Sequence, residues 1–353
     1  MKFYFSIFVF CLFMSCNNVS QSEKKSFGVD RTFQQLSDEF LKGYLDWRPQ
    51  AAVALGFHEY DGKIADFSKN SLDAELKRLR RYDQKLASID TAALSQKMFY
   101  DYRILRLAIK NEIFNFEDFK VYSHNPMTYA GLLDVNLYIK RNYAPLEQRL
   151  RSIIAVERQA PLIVEAAKAN LDGSLPKPYI ETAISIAGGT VDFLKGDLLV
   201  ALKEVKNDSL MSQFRVSNDS AISSLQQFIS WLQKEELPRA NNGYAIGTEN
   251  YRKMLLYNEN ITLSPEKILE LGLAELKKEQ ERFNSAARII DRTKKPIDVY
   301  HAVQGTEHPT AESLIPDAEK HLEMIRQFLI DRNIVTMPSA VRVQVKETPQ
   351  YAR

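Results

Sequence analysis

A histidine followed directly by a glutamate, His58-Glu59, opens the pattern H-E-x-x-H of zinc hydrolases. On a helix, residues four apart share one face, so two imidazoles can grip one metal ion while the glutamate takes a proton from bound water. The second histidine would stand at position 62, which is occupied by Gly62. The other histidines, His124, His301, His308 and His321, include no pair three or four residues apart. They read as surface or hydrogen-bonded structural residues, and no metal ligand or catalytic residue is assigned.

Other chemistries find little support. There is no G-x-S-x-G nucleophile elbow and no Walker-type phosphate loop. Gly188-Gly189 lies in a helical pattern, where it predicts a kink or a close helix crossing rather than a phosphate cradle. Two loop-like stretches remain as candidates. "GFHEYDGKIADFS" offers His58, Tyr60 and Asp61, and "PRANNGYAIGTENYRKML" offers Tyr244, Glu249 and Tyr251. Glycines beside aromatic and acidic residues can wall a pocket or line a channel mouth; equally, they can simply turn the chain.

The elements that would position these residues are helical. "FQQLSDEFLKGYLDW" sets Phe33, Leu36, Phe40, Leu41 and Tyr44 on one face before Pro49, and Leu72, Leu76, Leu79 and Leu86 form a second stripe. Further helices are predicted over about 146–170, 178–205, 219–236, 265–290 and 317–331. The start at Pro265 has the clearest cues. Ser264 can cap it, Pro265 loses no needed hydrogen bond there, and Glu266 meets the positive end of the dipole. Ile268, Leu269, Leu276 and Phe283 can then face a core. The fold class is mainly α, a large multi-helix body with one exception: Val341, Val343 and Val345 alternate with polar residues, predicting a lone C-terminal strand. Its best internal partner is the aromatic stretch "IFNFEDFKVY".

With 47 Lys and Arg against 45 Asp and Glu, the formal charge is +2, which excludes the concentrated positive field of a nucleic-acid binder. The N-terminus is a separate object. Lys2, the apolar run from Phe3 to Met14 and then Ser15-Cys16 form a signal peptide over 1–15, too short for a permanent membrane span. A small residue before cysteine resembles a bacterial lipobox, so Cys16 is expected to carry lipid, and residues 16–30 to form a polar tether. An ordinary secretory signal is the other reading. The only other cysteine, Cys11, lies in the apolar run, so processing would leave no thiol for a disulfide or for catalysis in the folded body. Asn17 rather than Asp after Cys16 favours the outer membrane over the inner one.

"WRPQAAVALGFHEYDGKIADFS", "LPRANNGYAIGTENYRKML" followed by "TLSPEKILELGLAEL", and the terminal "VQVKETPQYAR" together resemble, in that order, the bacterial family called domain of unknown function 885 (DUF885). The resemblance implies an exported lipoprotein with a helical fold similar to channel-type gluzincin metallopeptidases, acting on peptides. In that family an H-E-x-x-H helix and a later glutamate would bind zinc. That helix lies beyond the segment resembling "ETPQYAR", and this chain stops at Arg353. The resemblance therefore implies a body over 31–353 that is incomplete at its C-terminus, with zinc a cofactor of the full-length family and none held by this chain. His58-Glu59 matches a different family motif. The expectation is the N-terminal portion of a metallopeptidase-like lipoprotein, inactive alone. The alternative is a non-catalytic envelope lipoprotein that binds peptides or a partner protein.

Overall fold

The computed structural model describes residues 28–306 and 310–346. The signal peptide, Cys16, most of the tether, His308 and the terminal "ETPQYAR" lie outside the described residues. The chain divides into two units, one ending at Thr262 and the other beginning at Leu263. No helix among the described residues is long and apolar enough to cross a membrane.

Unit 1 begins with α1 (28–47), α2 (Pro49–Ala54), a single 3-10 turn at His58–Tyr60, α3 (Lys69–Ala87) and α4 (Gln96–Glu117). Three short helices follow: α5 (Val121–His124), α6 (Met127–Ala130) and α7 (Asn136–Lys140). The larger helices are α8 (Leu146–Glu157), α9 (Ala160–Asn170), α10 (Lys177–Lys195) and α12 (Asp208–Trp231), with short α11 (Asp197–Ala201) between the last two. Helix α13 (Gly247–Glu259) closes the unit. Side-chain caps set several starts: Ser68, Ser95 and Asn207 each accept a hydrogen bond from the amide three residues on.

Apolar stripes bury in two cores. Phe33 and Phe40 of α1, Leu79 and Leu86 of α3, and Leu105 and Ile109 of α4 form one. The other runs through α8, α9, α10 and α12, with Leu150, Ile153, Ile180, Phe214 and Phe228 at its centre. At about 25 cal/mol per Å², each such side chain contributes roughly 1.5–3 kcal/mol on burial.

Several expected boundaries move for local reasons. The 146–170 stretch is two helices, because Pro161 in the first turn of α9 has no amide to continue the ladder of α8. The 178–205 stretch breaks at Gly196, where a Cβ would come within 3.2 Å of the Asp192 carbonyl. The helix expected from 219 starts earlier, at Asp208, behind the Asn207 cap. Gly188 and Gly189 sit inside α10, and a Cβ on either meets nothing within 4 Å, so the expected close crossing is not there.

Unit 2 contains α14 (Pro265–Ile290), α15 (Pro296–Thr306) and α16 (Leu314–Asp331). Ser264 caps α14 as the sequence predicts, accepting from the Lys267 amide at 3.2 Å. Its stripe finds no core: Ile268 is half-buried, and Leu269, Leu276 and Phe283 are exposed. Residues 341–346 are irregular, which corrects the expected strand. The proposed partner stretch lies mainly in α4 and α5, whose backbone groups are largely taken up by helix bonds, leaving a strand at 341–346 no ladder to join. Arg342 is held instead by Glu323 of α16, at 2.9 Å.

Candidate functional site

The His58 stretch is a glycine-bounded turn. Gly56 and Gly62 have φ of +96° and +76°, values that L side chains rarely adopt. The polar groups of His58, Tyr60, Asp61 and Gly62 are taken by the protein itself. The His58 ring stacks on Tyr143 with centroids 3.6 Å apart, and its Nδ1 lies 3.3 Å from Asp61 Oδ1. The Tyr143 hydroxyl donates to Asp61 Oδ2 at 2.8 Å, and burial followed by this bond pushes its pKa up. Tyr60 donates to Asp46 at 2.7 Å; this bond raises the phenol to about 12, and the same bond with help from Lys42 lowers Asp46. The Gly62 amide donates to the Tyr138 hydroxyl at 2.9 Å, while Gln159 donates to the Gly62 carbonyl at 3.2 Å.

These bonds fasten the turn to the region around α7 and α8. They also decide its fit to zinc. His58 has one carboxylate neighbour, Asp61, beside a tyrosine ring, a donor set too small for the tetrahedral site of this ion. Among the described residues, no group of three or more His, Cys, Asp or Glu could hold a metal.

The second stretch sits elsewhere. Exposed Tyr244 lines a pocket of about 310 Å³ with Asp118, His124, Asp172 and Tyr179, in which His124 Nδ1 is 3.4 Å from Asp172 Oδ2. Glu249 faces outward on α13 and pairs with Arg252 at 3.2 Å, and Tyr251 is exposed on the same helix. Neither lines that pocket, and no residue of the 56–63 turn does. The two stretches therefore do not build one site.

Sequence reasoning missed a third location. A groove of about 930 Å³ opens between α1, α4 and the end of α13. Lys253 of α13 pairs with Asp118 at 2.8 Å, just beyond α4, and Tyr257 meets Phe114 edge-on at 6.2 Å. Along the groove lies Glu112, part of a buried ion cluster. Arg48 donates to Glu112 and, at 3.4 Å, to Glu75; Arg78 grips Glu75 with bonds of 2.6 and 2.9 Å. The Arg48 guanidinium also lies 4.3 Å over the Tyr44 ring and 4.7 Å over Trp47. Burial raises the Glu112 carboxyl against the pull of Arg48. The signal was available: Glu75 interrupts the apolar stripe at Leu72–Leu79, and Glu112 falls three residues after Ile109 on the stripe of α4, where an unpaired carboxylate would be costly.

The family described as "Bacterial protein of unknown function (DUF885)" matches residues 49–353. The chain belongs to the DUF885 family. A solved structure with a similar fold is that of a Shewanella oneidensis protein of unknown function, proposed to be a lipoprotein. It is 21% identical, with a TM-score of 0.70 over 90% of this chain, and this chain spans 61% of its length. No curated protein matches. The shared fold supports the mainly α architecture expected for a DUF885 chain.

Proposed function

We propose that this chain is the helical N-terminal portion of an exported, metallopeptidase-like lipoprotein, one that holds peptide but does not cleave it by itself. The observation that carries this reading is the bareness of unit 2. Its only buried apolar residues among those described are Ala287 and Val299, while Leu269, Leu276, Ile325 and Phe328 stay 53–62% exposed. Helices with such faces are built to be covered, and a further polypeptide bearing the H-E-x-x-H helix would cover them. Cys16 would anchor the whole to the envelope, in the outer membrane, with the tether giving it reach.

The test is an assay of the purified chain on a mixed peptide library, alone and joined to the coding sequence found past codon 353. The expected result is no cleavage and no stoichiometric zinc alone, and both in the joined protein. Zinc-dependent cleavage by the chain alone, lost in His58→Ala, would overturn it. The second reading, a non-catalytic peptide-binding lipoprotein, is favoured by the groove of unit 1; binding without cleavage by the joined protein would select it.

A further inference from the structure

The groove between α1, α4 and α13 has two kinds of surface. Phe33, Phe40 and Ile104 give it an apolar wall, and the rings of Tyr44, Tyr100 and Tyr257 line it from all three helices. Against these stand three acids, Asp101, Glu112 and Glu259, and one base, Arg103. Their hydrogen bonding leaves acceptors unspent. Glu112 gives Oε2 to Arg48, and its Oε1 accepts from no described residue. Asp101 has no ion pair or side-chain bond among the described residues, and Glu259 accepts only from the adjacent Asn258 side chain, at 2.7 Å. Apolar and aromatic walls with an excess of acceptors suit a ligand that is apolar along its body and cationic at one point.

We propose that this groove binds an extended peptide through a lysine or arginine side chain directed at Asp101, with flanking apolar residues against Ile104 and the tyrosines. The proposal rests on the peptide-holding reading above and adds the class of peptide. Charge complementarity selects the occupant: with Glu112 already paired to Arg48, an acidic peptide would still meet two carboxylates, Asp101 and Glu259, against one guanidinium, Arg103. The way Arg48 already lies over Tyr44 shows how a guanidinium can use this tyrosine-rich surface.

The test uses the full chain and fluorescein-labelled, amidated five-residue peptides of leucine and tyrosine with a central lysine, norleucine or glutamate. Each is made with a free and with an acetylated N-terminus. The lysine peptide is expected to bind about fivefold tighter than the norleucine peptide whether or not its terminus is acetylated, and the glutamate peptide more weakly than both. Exposed Asp101→Asn should abolish the lysine advantage and leave norleucine binding unchanged, whereas Ile104→Asp should weaken both. Equal binding of lysine and norleucine peptides, or an advantage that vanishes on acetylation, overturns the basic-side-chain proposal while the peptide-holding reading stands. Binding of no peptide overturns both. Glu112→Gln, about 16 Å along α4 from Asp101, should leave the lysine advantage in place if it folds, and Asp101→Asn decides the matter if it does not.

Discussion

Ser217 Oγ lies 2.5 Å from Glu157 Oε2 inside unit 1, and no cation among the described residues accompanies the carboxyl. The same hydroxyl is 3.0 Å from the Phe214 carbonyl, and it has one proton to give. If Glu157 is protonated it can donate to Ser217, which then donates to Phe214, and both bonds are made. Burial accordingly raises Glu157 to about 8, only partly offset by Ser217.

This gives a pH dependence with a defined sign. The native state holds a proton that the unfolded state releases near 4.5, so the contribution is intact below that value and falls away as pH rises toward about 8. Glu157→Gln keeps the shape and removes the charge. It is expected to stabilise the chain by roughly 1–3 kcal/mol at pH 8.5 and to change little at pH 4. Urea unfolding at the two pH values is the check, and an equal effect at both would contradict the assignment.

Gly62 separates the two roles of glycine in the His58 turn. Its φ is +76°, and a Cβ would stand 3.0 Å from the Ala155 Cβ, a short side chain with nowhere to go. At Gly56, φ is +96° but nothing lies within 4 Å. Gly62→Ala should therefore cost about 2–3 kcal/mol and Gly56→Ala about 1 kcal/mol. Similar losses in urea titrations of the two variants would show that the contact with α8 is unimportant.

Arg48 serves two carboxylates, and among the described residues only Glu75 has another cationic partner, Arg78. Arg48→Met strands Glu112 and is expected to cost about 3 kcal/mol. Adding Glu112→Leu removes the stranded charge and should recover most of that loss. A double variant as unstable as the single one would mean that Arg48 acts through its contacts with Tyr44 and Trp47 instead.

Local periodicity revealed the helices because it depends on neighbours along the chain, and Ser264-Pro265-Glu266 marks the start of α14 within a residue. What failed was non-local. The valines at 341, 343 and 345 have strand spacing, yet pairing depends on a free neighbour elsewhere in the fold. His58 and Tyr143 are far apart in sequence and meet only through the fold, so nothing near His58 announces that its ring is already stacked. The groove was hidden for the same reason: its walls come from helices at opposite ends of unit 1, and only Glu112 on an apolar stripe marked the place.

Unit 2 gives the last prediction. Ala287 and Val299 are a small core for three helices, and Leu276 and Ile325 are 53% and 56% exposed. Apolar side chains that remain in water contribute little to folding, so the amides of α14 and α16 should exchange with solvent much faster than those of α8, α10 and α12. For the same reason, Leu276→Lys with Ile325→Lys should shift the unfolding free energy of this chain by less than about 0.5 kcal/mol while reducing its binding of a hydrophobic dye. If the covering polypeptide proposed above exists, the same pair in the joined protein should cost several kcal/mol, on the scale of about 2 kcal/mol for each large apolar side chain lost from an interface core. A large loss in the chain alone would show that these faces already have an occupant, and that unit 2 needs no further polypeptide.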